Sequence, residues 1–205
     1  MVYEKNLWGA DSSGEFFSGP GSHNSEIIGN YTSAIKLFLE SLPYKPNAVD
    51  LGCGDFNVGR HVRDLCNRYI ACDVVPALIE RNANLFGRLD VDFRCMDITT
   101  DGLPSGDIVF IRQVLQHLSN KQIECVVRKL SVYKYLILTE HLPLSNEFSP
   151  NIDKPIGAGT RLGRGTDSGI VLTLSPFNLS TKSEQIICEV PLVGGIIRTT
   201  VYEMR

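Results

Sequence analysis

Val49-Asp50-Leu51-Gly52-Cys53-Gly54-Asp55-Phe56-Asn57 runs a short apolar strand straight into a pair of glycines, and this constrains the fold more than anything else in the chain. A strand that is apolar along its length is covered on both faces. Glycine at its exit lets the backbone turn tightly and approach a ligand with no side chain between them. Asp50, at the strand end, stands where it can hold a polar or cationic group, and the amides of the following helix start face the same crevice. A dinucleotide-binding loop also follows a first strand, but Asn57 stands where that fingerprint needs its third glycine. A Walker-type phosphate loop is excluded, because no Gly-Lys-Ser/Thr follows.

The elements around this loop alternate. Ile27, Ile28, Tyr31, Ala34, Ile35, Phe38, Leu39 and Leu42 recur every three or four residues and predict a helix with one buried stripe, stopped by Pro43 and Pro46. Strands are expected at Ala48–Leu51, Tyr69–Asp73, Val91–Cys95, Asp107–Ile111 and Tyr135–Thr139. Between them come a helix beginning near Asn57, a second from Pro76 to about Leu85, and a third introduced by the capping pair Ser119 and Gln122. Repeated strand–helix order implies right-handed crossovers and a mainly parallel sheet. Residues 142–167 break the pattern with three prolines and four glycines, a length that marks either a functional loop or a disordered one. Two further strands, Ile186–Val190 and Ile197–Tyr202, flank a turn at Gly194-Gly195. The expected organisation is one domain over 1–205, with an N-terminal segment and helix over 1–46 and a substrate loop at 142–167.

Twenty basic residues against 23 acidic ones give a formal charge of −3, so no nucleic-acid partner is expected. MVYEKNLW lacks the basic and apolar regions of a secretory leader, and no apolar run approaches a membrane span, so a cytoplasmic protein without a membrane partner is expected. The six cysteines form no CxxC pair and no zinc-like Cys/His spacing, which reads as reduced thiols. Asp55 and Asp107 alone do not make a metal site, and none is expected. Association into a homo-oligomer stays open.

VDLGCGDFNVGR resembles the first motif of the class I S-adenosylmethionine-dependent methyltransferases, in which an acidic residue and a leucine or isoleucine precede GxG. The resemblance covers about Ala48 to Glu140 and the terminal hairpin. It implies a doubly wound α/β fold with a mainly parallel seven-stranded sheet and an antiparallel C-terminal hairpin, and S-adenosylmethionine as cofactor. By the same resemblance, Asp50, Gly52, Cys53 and Gly54 surround the methionine portion and the adjoining ribose, and Asp73 accepts hydrogen bonds from the ribose hydroxyls. Asp97 meets the adenine amino group, Ile98 lines its ring, and Arg112-Gln113 begins the segment beneath the transferred methyl. The chemistry agrees: an ionised carboxylate only accepts hydrogen bonds, so it suits a pair of hydroxyls. Each of these residues also ends a strand, where an open α/β sheet forms its crevice.

Arg112-Gln113-Val114-Leu115-Gln116-His117-Leu118 resembles a stretch common in small-molecule methyltransferases of this class. His117 is a candidate general base or substrate-orienting group, with bracing of the next helix as its alternative. Glu140 and His141, ending the fifth strand, are candidates for contact with substrate or for catalysis, although neighbours on a strand point to opposite sides. His23 lies in a segment that often covers the cofactor in this superfamily. Arg161 and Arg164 offer several donors to a hydroxyl-rich or anionic acceptor. No Asn/Asp-Pro-Pro-Tyr/Phe tetrapeptide follows the fourth strand, which weighs against methylation of DNA bases. The expected reaction is methyl transfer to a polar small molecule, a hydroxyl of a sugar or other metabolite. A non-catalytic S-adenosylmethionine-binding scaffold and a nicotinamide oxidoreductase are the alternatives.

Overall fold

Residues 16–145, 147–163 and 167–204 are described by the structure, a computed structural model. The apolar runs form β1 (Ala48–Leu51), β2 (Tyr69–Asp73), β3 (Asp92–Cys95), β4 (Ile108–Arg112) and β5 (Tyr135–Leu142), all parallel. A hairpin of β6 (Ser183–Leu192) and β7 (Gly195–Glu203) joins antiparallel to β5. The sheet order is β3-β2-β1-β4-β5-β7-β6. The chain leaves β3 at one edge and returns to the far side of β1 as β4, so the order reverses between these two strands. A crevice opens there at the strands' carboxyl ends. The fold is doubly wound α/β, as the alternation of elements requires.

Alternate side chains of the central strands enter two separate cores, as a sheet covered on both faces demands. Val49, Ile70, Val109, Ile111 and Leu136 pack with Ile123 and Val126 of α3 (Asn120–Val127). Ala48, Tyr69, Ile108, Phe110 and Ile137 pack with Tyr31, Ile35 and Leu39 of α1 (Ser25–Glu40). Asn24 caps α1, its side chain accepting from the amides of Glu26 and Ile27 at 3.0 Å. Between α1 and α3 in the chain, α2 (Pro76–Phe86) begins at Pro76, whose missing amide hydrogen has no role in a first turn.

Two expectations need correction. The helix expected near Asn57 is instead a pair of 3-10 turns, Gly59–His61 and Arg63–Leu65. Phe56 takes a left-handed backbone (φ 61°) that drives its ring against Tyr69, Phe86 and Phe93, with centroids 5.0–5.7 Å apart. That aromatic anchor sets the path of the chain. A Cβ on Gly59 would collide with the Phe56 ring. Strand β5 runs three residues beyond Thr139, because β7 supplies antiparallel partners as far as Leu142. Glu140 and His141 therefore lie inside a paired strand.

The described residues between 143 and 182 contain no long helix or strand, yet Ile170, Leu172, Phe177 and Leu179 anchor the segment in the core. Buried Asn151 holds the segment together. Its side-chain amide donates to the carbonyls of Val171 and Ser175 at 2.8 and 3.0 Å and accepts from the Val171 amide at 2.8 Å. No helix among the described residues is long and apolar enough to cross a membrane.

Candidate active site

The glycine loop is built from the backbone outward. Gly52 (φ 84°) lets the Gly52 and Cys53 amides both donate to Cys72 O of β2, at 2.8 and 2.9 Å. A side chain at Gly52 would strike Val114 as well as strain the backbone. The Gly54 peptide is fixed at both ends. Its amide donates to Asp73 Oδ2 at 3.1 Å, and its carbonyl accepts from Asn82 Nδ2 at 2.7 Å. Sequence reasoning missed Asn82, which is fully buried on α2. The available signal was its place on the apolar face at three and four residues from Ile79 and Leu78, where a polar side chain requires a partner.

Asp73 ends β2, nearly buried, with Oδ1 accepting the Val75 amide at 3.2 Å. Each carboxylate oxygen has two lone pairs, so both keep an acceptor site for a pair of ribose hydroxyls. Burial raises its pKa, opposed by the bonds from Gly54 and Val75. Asp50 accepts the Tyr69 hydroxyl at 3.0 Å, and burial pushes its carboxyl up to about 7. Asp97 is half-buried and organises its own turn, with Oδ1 accepting from Thr99 N and Oγ1 at 2.8 and 2.7 Å. Ile98 sits in the core beside α3. The Met96 amide, donating to Asp73 O at 2.8 Å, ties this corner to the end of β2. A shaped glycine cradle, a buried carboxylate and a crevice at the switch point make a donor set that would suit a ribose-bearing cofactor.

Arg112 and Gln113 hold the N-terminal segment. Arg112 donates to Gly21 O at 2.6 Å and Ser22 Oγ at 3.0 Å, and its guanidinium lies 5.2 Å from the Tyr31 ring centroid. Gly21 packs so closely on the Gln113 side chain that a Cβ there would collide with it. The same segment reaches the glycine loop. Asp55 pairs with His23 Nε2 at 2.6 Å and accepts the Ser18 amide at 3.1 Å, while Asn57 donates to Ser22 O at 2.8 Å. Residues 16–24 thus form a strap across the loop and the end of β4. Residues 1–15 lie outside the described residues, and so does Arg164.

Arg161 does not offer its guanidinium to an acceptor. It is buried, and all five of its N–H groups are used. Nε donates to Ile152 O, Nη1 to Leu115 O and Gln116 O, and Nη2 to Leu118 O and Asn120 Oδ1, at 2.8–3.2 Å. Arg161 clamps the 142–167 loop onto the 3-10 turn Leu115–His117, supplying donors to carbonyls that such a turn leaves open.

Glu140 meets the same turn from below, accepting the Leu115 amide at 3.1 Å with only 2% of its surface exposed. Burial pushes its carboxyl up to about 8, against the opposing charge of Arg161. It is therefore mostly uncharged at neutral pH. His117 is pushed down to about 4 by burial and then by Lys154, and burial also lowers His141. Both rings are neutral imidazoles at physiological pH. Glu140 and His141 leave β5 on opposite sides and do not form a couple; a Cβ on Gly195 would meet His141 Nε2 and Leu162.

Glu140 gives a pH signature with a definite sign. Its folded pKa lies above the carboxylate value of an unfolded chain, so folding takes up a proton, and stability falls as pH rises from about 4.5 through 8. His117 acts in the opposite direction but only between about 4 and 6.5. From pH 6.5 to 8 the Glu140 contribution should dominate these two, at up to about 1 kcal/mol per pH unit. Glu140→Gln should flatten that slope in urea denaturation; an unchanged slope would contradict the burial assigned to this carboxyl.

Comparisons with known proteins agree with this geometry. A family profile described as a methyltransferase domain matches residues 49–134. No curated protein matches the chain. Among solved structures it is similar to the N-methyltransferase NodS from Bradyrhizobium japonicum WM9 in complex with S-adenosyl-L-homocysteine. That similarity has a TM-score of 0.64 at 14% identity and covers 90% of each chain. It is also similar to the N-terminal domain of EvdMO1 in the presence of S-adenosylhomocysteine and D-fucose, with TM-score 0.60, 15% identity, and 86% of this chain and 83% of that one covered. The complex of DhpI with S-adenosylhomocysteine gives TM-score 0.59 at 17% identity, covering 90% and 89%. Residues 49–134 thus match a methyltransferase domain, and the fold is the one shared by these methyltransferase structures. The profile match and the shared fold support a methyltransferase that draws on S-adenosylmethionine.

Proposed function

We propose that the acceptor is a polar small molecule, methylated on a hydroxyl of a sugar or similar metabolite, and that it binds at the carboxyl ends of β4 and β5 under the 142–167 loop. One observation carries this reading. Four buried side-chain atoms without a hydrogen-bond partner among the described residues fall in just these two stretches: Arg112 Nε, Gln116 Oε1, Glu140 Oε2 and His141 Nε2. Buried polar atoms are normally paired, and unpaired ones at the ends of neighbouring strands suit a ligand rich in donors and acceptors. The D-fucose accompanying the EvdMO1 domain supports a sugar as acceptor.

Bound S-adenosylmethionine supplies an electrophilic methyl on a sulfonium. Asp73 holds the ribose, while Asp50 and the Gly52–Gly54 backbone shape the cradle, with Asp97 and Ile98 at the adenine end. Gln116 and His141 orient the acceptor, and the neutral imidazole of His117 or His141 takes the hydroxyl proton. A ring held near a pKa of 4 is a weak base, so alignment and exclusion of water contribute more than proton removal. Incubation with methyl-labelled S-adenosylmethionine and a panel of hexoses, polyols and amines tests the reading. Label on a hydroxyl product supports it. Label confined to amines would refute the hydroxyl assignment, and cofactor binding with no transfer to any acceptor would favour the scaffold alternative.

A further inference from the structure

Ile152, Lys154, Gly157, Gly159 and Leu162, among the described residues of the 142–167 loop, line an open cavity of about 450 Å³, within the size range of small-molecule sites. We propose that this cavity receives an anionic group, a phosphate or a carboxylate, carried by the methyl acceptor. This rests on the reading that the acceptor lies at the ends of β4 and β5, and it narrows the substrate class.

Position comes first. The Gly157 amide donates to His117 O at 3.0 Å, which sets one wall of the cavity against the turn after β4. Leu162, another lining residue, lies against the position beside His141 at the end of β5. A ligand held at those strand ends can extend into the cavity without crossing the sheet.

Charge comes second. Lys154 lines the cavity half-buried, its ammonium donating to Pro155 O at 2.7 Å and to His117 O at 3.5 Å. Behind it lies Arg161, whose five hydrogen bonds all go to neutral oxygens. Among the described residues no carboxylate comes within ion-pair distance of it. Glu140, beyond the Leu115–Gln116 peptide, is mostly protonated at neutral pH and leaves that positive charge largely uncompensated. The acid on the wall is Asp153, and its Oδ1 is already engaged by the amides of Asn120 and Lys154 at 2.7 and 2.8 Å. Among the described lining residues, two cations stand against one carboxylate, which leaves the cavity wall an excess of positive charge in a protein of net negative charge.

Access comes third. Gly157 and Gly159 face space where an added Cβ would meet nothing within 4 Å, so a ligand can come up against the backbone there. Thr160 contributes a hydroxyl to the same wall.

Calorimetric titration of the S-adenosylhomocysteine-loaded protein with glucose, glucose 1-phosphate and inorganic phosphate tests the assignment. In the wild type, glucose 1-phosphate should bind about tenfold or more tightly than glucose, the scale of one charge-assisted hydrogen bond. Lys154→Gln should close that gap and weaken inorganic phosphate to a similar degree, with S-adenosylhomocysteine affinity reporting that the variant is folded. Equal affinity for the two sugars, no binding by either, or an unchanged gap in Lys154→Gln would overturn the anion site. Tight phosphate binding that is lost in Lys154→Gln, without label transfer to any hydroxyl, would uphold the site while the hydroxyl-methylation reading failed.

Discussion

Asp73→Asn is expected to weaken binding of S-adenosylmethionine and S-adenosylhomocysteine by about 10- to 100-fold, the equivalent of roughly 1.5–3 kcal/mol for hydrogen bonds to a charged group. Asp73 Oδ2 and Oδ1 already accept the Gly54 and Val75 amides, and the lone-pair capacity left over is what the proposed site offers to the ribose. An amide has one accepting oxygen, so its NH2 must face either Gly54 N or Val75 N, donor against donor. The loss therefore includes a disturbed glycine cradle as well as a lost ribose partner. Titration calorimetry on a folded variant reads the effect, and unchanged affinity would remove Asp73 from the site.

Arg161→Leu is expected to destabilise the protein by about 3–5 kcal/mol, because it leaves several buried carbonyls without donors. Gln116 O, Leu118 O and Ile152 O lose their partner at once, and Leu115 O keeps only the Leu118 amide. The turn that carries His117 and the loop above it should loosen together, and the loss of turnover should exceed the loss of cofactor affinity. Urea unfolding measures the first effect; a cost below about 1 kcal/mol would contradict the clamp. Deleting residues 156–165 would remove the same clamp, so point substitutions such as Lys154→Gln separate acceptor binding from folding where a deletion does not.

The parts of the fold legible in the sequence are those where local pattern and global packing agree. Ala48–Leu51 and Tyr69–Asp73 are legible to the residue, because short runs that are apolar but for Asp50 and the terminal Asp73, bounded by Pro46, Gly52 or Pro76, have few alternatives in a covered sheet. The Ser119–Gln122 capping box is formed. The absence of a helix after Asn57 depends on the Phe56 ring finding three aromatic partners from distant segments, a tertiary effect that no local spacing encodes. The extension of β5 was hidden for a similar reason, since its extra residues are strand only because β7 pairs with them.

The candidate site divides along the same line. The glycine loop and Asp73 follow from backbone chemistry at the end of a strand, and the structure joins them by direct hydrogen bonds. Arg161 was misread because an arginine in a glycine-rich loop looks solvated in sequence, and only the fold places it over an uncapped turn. Asn82 was missed because its partner, Gly54 O, lies 28 positions away in the chain. The strap made by Ser18, Gly21, Ser22 and His23 was visible only as an irregular segment until Asp55, Asn57 and Arg112 were seen to hold it.

The central claim is that the crevice between β1 and β4 is an S-adenosylmethionine site and not a nicotinamide one. Asn57 in place of a third glycine and the acidic Asp50 beside the loop carry that distinction. The most direct measurement is calorimetric titration of the wild-type protein with S-adenosylmethionine, S-adenosylhomocysteine and NAD under one set of conditions. Saturable one-to-one binding of both sulfur ligands, and no heat of binding with NAD, are expected. Tight NAD binding with neither sulfur ligand bound would contradict it.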